Sequence, residues 1–231
     1  MKSQKIPKVE TLKKGVWLAT IAYAIDYALR PEFDNELSWD GPNFNRQDSS
    51  GTRSTVTFGD KGLVGVFRDE NSSRLSFLNS NRPGYSLEPY LKGMPEDLRT
   101  LANQEALQYT LDTYHGKVQP IITAAFWSEG ENNPGQILEA AENWPQVEAN
   151  GAHLIYRELL DVAEAAGEWQ EYFEFSDKQV ALLKFLFDKK AANSHNVVSF
   201  TTKDLPSFAV KNSATFAQVI ETLKGIGIVI I

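Results

Sequence analysis

The segment from residue 39 to residue 53 holds the densest group of side chains that could do chemistry. It contains Asp40, Arg46, Asp48 and Arg53, together with serine and threonine hydroxyls, just before a predicted hairpin. Loops held by a rigid scaffold often carry binding residues, so this composition predicts a ligand loop for a small anion or a sugar. The competing interpretation is structural, since Asp, Asn and Ser side chains stabilise turns and the two arginines can pair with nearby acids. The residue types favour the structural interpretation.

Other reactive groups are scattered. His115, His153 and His195 are far apart, and none has the spacing of a zinc site. Glu129 and Glu131 could form the carboxylate pair of a glycosidase, although a solvated loop explains them more simply. The chain has no nucleophile elbow, Walker sequence or dinucleotide-binding glycine pattern. We therefore predict no catalytic residue, metal or cofactor, and we consider an enzyme the less favoured class.

Charge restricts the partners of the chain. The 231 residues carry a formal charge of -7 and no cysteine. Residues 176–231 nevertheless hold seven lysines against four acids, so any attraction to nucleic acid must come from this end. The apolar run Val16–Ile25 is too short to span a bilayer, which needs roughly 20 residues. We expect a cytoplasmic protein that does not bind membranes.

Periodicity predicts the elements that must position these residues. Apolar side chains at helical spacing predict a helix over residues 8–29, and a polar loop should follow from residue 32 to residue 53. Alternating segments 54–58 and 63–67 around Gly59–Gly62 predict an antiparallel hairpin. A further helix should begin after Pro95 and extend to about residue 114.

The C-terminal quarter has the clearest local signals. Ser176 and Gln179 have the spacing of a capping box at the start of a helix. A short strand is predicted near residues 197–200, a second helix after Thr202, a third helix after Ser213, and a final strand over 226–231.

This order resembles the winged helix-turn-helix superfamily, over residues 176–231 only. Leu205, Leu223 and Ile228 fall at apolar positions of the family pattern, and Thr215 falls where an exposed threonine is common. The resemblance implies that the third helix contacts DNA or a partner. The implied contact residues are Lys203, Lys211, Thr215, Gln218 and Lys224. No family is recognised for residues 1–175.

These patterns predict an α+β protein with an N-terminal helix on a small antiparallel sheet, a helical middle and a C-terminal winged-helix-like module. The predicted domains are residues 1–170, which are acidic, and residues 171–231. The expected function is regulation or interaction, with DNA binding that is weak or depends on a partner. The third helix lacks arginine, so a protein-interaction or dimerisation module that does not bind DNA is an alternative. An enzyme or ligand-binding protein that uses the loop 39–53 is a third hypothesis.

Overall fold

The computed structural model of the protein describes residues 8–31, 36–79, 84–130, 136–137, 144–201, 204 and 213–231. The α-helices are α1 (Val9–Leu29), α2 (Glu88–Leu91), α3 (Glu96–Gln104), α4 (Trp144–Glu148), α5 (Val162–Phe173), α6 (Asp177–Ala191) and α7 (Ser213–Lys224). The strands are β1 (Leu37–Asp40), β2 (Asn43–Gln47), β3 (Thr52–Gly59), β4 (Gly62–Asp69), β5 (Leu111–Tyr114), β6 (Lys117–Pro120), β7 (Ala124–Glu129), β8 (Gln136–Ile137), β9 (Val198–Phe200) and β10 (Ile228–Ile230). The predicted α+β class is confirmed, with an N-terminal helix followed by an antiparallel sheet.

The chain divides into two compact units, and each is built from two separate stretches of sequence. The first unit consists of Met1–Glu10 and Pro42–Tyr156, and the second of Thr11–Gly41 and Arg157–Ile231. This division differs from the predicted domains 1–170 and 171–231, because most of α1 and all of α5 belong with the C-terminal segment.

Five strands of the first unit form an antiparallel sheet in the order β2, β3, β4, β7, β8. The pairing of β3 with β4 confirms the predicted hairpin and extends it at both ends, from the pair Thr52 and Asp69 to the pair Gly59 and Gly62. One face of β4 and β7 is buried beneath α2, α3 and the 3-10 helix Ala106–Thr110. The largest side chain in this apolar core is Trp127.

The predicted loop over residues 32–53 is wrong where β1 and β2 lie. Asn43 and Asn45 fit into β2 because their side chains accept hydrogen bonds across the strand pair. The hydroxyl of Thr57 donates to Asn43 Oδ1 at 2.5 Å, and the hydroxyl of Thr55 donates to Asn45 Oδ1 at 2.7 Å. These bonds supply partners for side chains that otherwise favour turns.

The helix predicted to follow Pro95 begins as expected but ends early. α3 starts at Glu96 and ends at Gln104, where Glu105 takes a non-helical conformation with φ -124° and ψ -85°. A 3-10 helix and the antiparallel pair of β5 and β6 occupy the remaining residues of the predicted helix and the segment after them.

The second unit is held by contacts between α1 and residues far along the chain. The ring of Tyr23 meets those of Trp169 and Phe173 edge-on, with centroids 5.6 and 5.0 Å apart. The backbone at Gly15 comes so close to Glu158 that an added Cβ would lie 1.9 Å from the Glu158 carbonyl oxygen. This approach is possible only because residue 15 has no side chain.

The C-terminal segment contains the predicted first and third helices and both strands. The capping box is confirmed, since the backbone N–H of Ser176 donates to Gln179 Oε1 at 2.6 Å. β9 and β10 pair in parallel, with Ile228 opposite Val198. The helix predicted after Thr202 lies outside the described residues, apart from residue 204.

Candidate functional site

The residues predicted to contact DNA or a partner are only partly described, and they do not all face solvent. Gln218 and Lys224 are exposed on α7, whereas Thr215 is 3% exposed. The expectation that Thr215 is exposed is therefore wrong. Its position one helical turn before Val219, which is fully buried, places both residues on the inward face of α7. Lys203 and Lys211 lie outside the described residues.

The solvent face of α7 offers little positive charge. Ala214, Ala217, Gln218, Glu221 and Lys224 are exposed. The ammonium group of Lys224 is 3.4 Å from Glu221 Oε1 on the same helix. This exposed pair is largely screened, and its net charge is zero. The described face of α7 therefore offers one lysine, which is paired, and no arginine for base or phosphate contacts.

The solvent face of α6 combines lysines with an aromatic ring. Lys178, Lys184 and Lys189 are exposed, and Phe185 among them is 39% exposed. The Lys189 ammonium lies 6.0 Å from the centroid of the Phe185 ring. The same ring meets Phe200 of β9 at 5.6 Å.

Two further apolar side chains are exposed beside the short parallel strands. Val197 precedes β9 and is 66% exposed, and Ile231 follows β10 and is 73% exposed. We call Phe185, Val197 and Ile231 the C-terminal apolar set. Each could be removed from water by a partner, and such removal is the dominant favourable term in most protein association.

The predicted ligand loop does not gather its charged residues into one site. Arg46 and Arg53 belong to adjacent strands, where Arg46 is opposite Ser54 and Gln47 is opposite Arg53. Successive side chains of a strand point to opposite faces, so the two guanidinium groups lie on different faces of the sheet. Asp40 is exposed and belongs to the other compact unit.

Asp48 forms a turn, as the structural interpretation predicts. Its Oδ1 accepts from the backbone N–H groups of Ser50 and Thr52 at 2.9 and 2.8 Å. The Nε2 of His153 is 4.0 Å from Asp48 Oδ2, at the limit of an ion pair. The carboxylate of Asp48 therefore closes the connection between β2 and β3.

Arg53 belongs to a charged cluster that sequence reasoning missed. It lies directly opposite Arg68 in the hairpin. Glu70 forms ion pairs with both arginines, and Asp112 forms one with Arg68. Arg68 is 4% exposed, and it donates to Glu70 at 2.7 Å and to Asp112 at 2.6 Å. Burial would lower the pKa of Arg68, but these hydrogen bonds outweigh burial and raise it. The hydrogen bond from Arg68 is the main cause that lowers the pKa of Asp112.

The register of the hairpin was the signal that could have revealed this cluster. Two like charges directly opposite each other on one face destabilise a sheet unless acids accompany them. The pairing of Arg53 with Arg68 therefore required nearby carboxylates, of which Glu70 is only two residues from Arg68. Asp112 could not be assigned in this way because it comes from β5.

The described residues hold no group of three or more side chains that could bind a metal ion. Within the same ranges, no helix is long and apolar enough to cross a membrane. Glu129 is exposed at the end of β7, and its predicted neighbour Glu131 lies outside the described residues.

Comparison of the chain with models of protein families, with curated proteins and with solved structures gave no match.

Proposed function

We propose that this is a regulatory or interaction protein that acts through its C-terminal segment, and that a second copy of the chain is the partner to test first. The exposure of the C-terminal apolar set supports the proposal. Phe185 provides an aromatic side chain of the kind that anchors protein interfaces. We retain a winged-helix-like fold as part of this proposal, since the described residues of 177–230 contain a helix, a strand, a helix and a strand in that order.

The charge around Phe185 indicates the chemistry of the surface it would meet. The neighbouring lysines, Lys184 and Lys189, are exposed, so an acidic rim on the partner would complement them. Residues 1–175 of this same chain carry a formal charge of -10. A second copy therefore offers surface of the required sign.

Light scattering over a range of protein concentrations tests self-association. The mass should rise above 25.9 kDa with concentration, and Phe185→Glu or Val197→Glu should hold it at the monomer value. Val118→Glu is the matched control, because Val118 is 69% exposed but belongs to β6 of the first unit. A mass of 25.9 kDa at every concentration would contradict self-association.

DNA binding is the second candidate, and the exposed lysines of α6 support it. Lys178, Lys184 and Lys189 contribute to the local excess of lysine over acids in residues 176–231. Electrophoretic retardation of duplex DNA at about 50 mM salt tests this candidate, because phosphate neutralisation is strongest at low salt. Binding should weaken in a Lys184→Gln, Lys189→Gln variant. If micromolar protein retards no duplex at this salt concentration, the DNA hypothesis is wrong.

A further inference from the structure

A small cavity of about 270 Å³ opens within the second unit, and its described lining includes no residue of the C-terminal apolar set. Its walls come from α1, from the end of α5 and from the residue before β1. The lining residues are Tyr23, Asp26, Arg30, Glu36, Tyr172 and Phe173. Among the described residues, three aromatic rings and three charged groups thus line this space, which is smaller than the roughly 300–1,000 Å³ of sites for drug-sized ligands.

Two tyrosines fix the carboxylate of Glu36. The hydroxyl of Tyr23 donates to Glu36 Oε2 at 2.7 Å, and the hydroxyl of Tyr172 donates to the same oxygen at 3.1 Å. Within the described ranges, Oε1 of Glu36 receives no hydrogen bond. The cavity therefore presents a carboxylate that is held in place by one oxygen and can accept a donor at the other.

The positive charge in the cavity wall is already neutralised. The Nε of Arg30 donates to Asp26 Oδ1 at 2.7 Å, and its terminal nitrogen donates to the Phe173 carbonyl at 3.1 Å. Asp26 is 4% exposed, so this ion pair is largely part of the wall. Because the charges of Arg30 and Asp26 cancel, Glu36 gives the described lining residues a net charge of -1.

The aromatic rings of this region already bind a cation of the chain. The guanidinium carbon of Arg157 lies 4.1 Å from the centroid of Tyr172 and 5.2 Å from that of Trp169. A carboxylate oxygen of Glu168 is 3.9 Å from Arg157 Nε and offsets its charge. Tyr172 is 42% exposed, so part of its surface remains accessible to solvent.

We infer that this cavity binds a small organic cation, a primary or quaternary ammonium compound. The ammonium group pairs with Glu36, and its carbon substituents lie against the rings of Tyr23, Tyr172 and Phe173. Aromatic faces attract cations through the ring quadrupole, and the attraction is strongest where water is excluded. Glu36 repels an anion of similar size. A neutral sugar is disfavoured because the donors described above already form hydrogen bonds within the protein. The tyrosine hydroxyls donate to Glu36, and Arg30 donates to Asp26 and to the Phe173 carbonyl.

Ligand-observed NMR and calorimetry with choline as the probe test the inference on the full chain. We expect saturable binding, and weaker binding by tenfold or more in Glu36→Gln, which removes the charge and nearly preserves the shape. Tyr172→Leu should weaken binding because it removes a ring, whereas Tyr172→Phe should retain at least a third of the affinity. Glu171→Gln is the matched control, since Glu171 is an exposed acid on α5 that does not line the cavity.

Three results would overturn the inference. Tetramethylammonium and butylamine are titrated beside choline, and the absence of binding of all three at about 50 mM excludes this class of ligand. Equal affinity of wild type and Glu36→Gln places any binding elsewhere. Glucose or acetate bound as well as choline refutes the selectivity for cations. Circular dichroism of each variant shows that a lost affinity is not a lost fold.

Discussion

Replacing Gly15 by alanine should destabilise this protein, although alanine is normally the better residue inside a helix. Gly15 lies in α1, where alanine would ordinarily contribute about 1 kcal/mol. Here the new Cβ would stand 1.9 Å from the carbonyl oxygen and 2.7 Å from the carbonyl carbon of Glu158. These atoms belong to backbone and cannot rotate away as the end of a side chain can.

The size of the effect follows from the displacement that the contact requires. Ordinary Cβ contacts are not closer than 3.0 Å, so α1 and the 3-10 helix Arg157–Leu159 must separate by about 1 Å. Overpacking of this kind costs roughly 1–3 kcal/mol, and a backbone clash belongs at the upper end. After subtraction of the gain in helix propensity, we expect a net loss of about 2 kcal/mol.

Gly167→Ala is the matched control, because Gly167 lies within α5 and an added Cβ meets nothing within 4 Å. This variant should gain about 1 kcal/mol. Urea unfolding followed by far-UV circular dichroism measures both, provided that the slope of each transition is unchanged. If the two units unfold in separate transitions, both substitutions should change the transition of the second unit, which contains both glycines. A Gly15→Ala protein as stable as the Gly167→Ala protein would refute the close approach of α1 to Glu158.

Three further substitutions test other contacts. Asp161→Ala should cost about 1 kcal/mol in thermal unfolding, because the Asp161 side chain caps α5 by accepting from two backbone N–H groups at 3.0 Å. Asp112→Asn should lower the free energy of unfolding by roughly 1 kcal/mol at pH 7, a value limited by solvent screening because this side chain is 40% exposed. The pKa of Asp112 is lowered in the folded protein, so wild type should lose its extra stability over the variant as the pH falls through that pKa in urea titrations. Burial, and then the charge of Lys13, lowers the pKa of Lys190 in the folded protein. In the same urea titrations, wild type should therefore gain stability relative to Lys190→Met as the pH rises from the folded pKa toward the ordinary lysine value of about 10.4.

Local signals in the sequence were sufficient for several elements. The capping box of Ser176 and Gln179 set the start of α6, and the glycines and alternation around residues 59–62 predicted the β3–β4 hairpin. These signals succeed because the residues that stabilise the element are neighbours in sequence. The strand β2 was not predicted, because the hydrogen-bond partners of its asparagines come from β3 and not from its own segment.

Sites built from distant residues were beyond such reasoning. The carboxylate of Glu36 becomes a candidate ligand group only because Tyr172 approaches it, 136 residues away in sequence. Likewise, Arg68 meets Asp112 across 44 residues. Periodicity also placed the buried face of α7 one position away from where it lies, so Thr215 was expected to be exposed but is buried.

The division of the second unit between the two ends of the chain affects the order in which it can form during synthesis. Arg30, directly after α1, donates a hydrogen bond to the carbonyl of Phe173, 143 residues later. At about 5–20 residues per second, roughly 7–30 seconds pass between the synthesis of these two residues. During that interval Pro42–Tyr156, which is nearly all of the first unit, is synthesised, whereas the apolar side chains of α1 still lack α5. Ribosome-bound chains truncated near residue 156 should therefore expose α1 to chaperones.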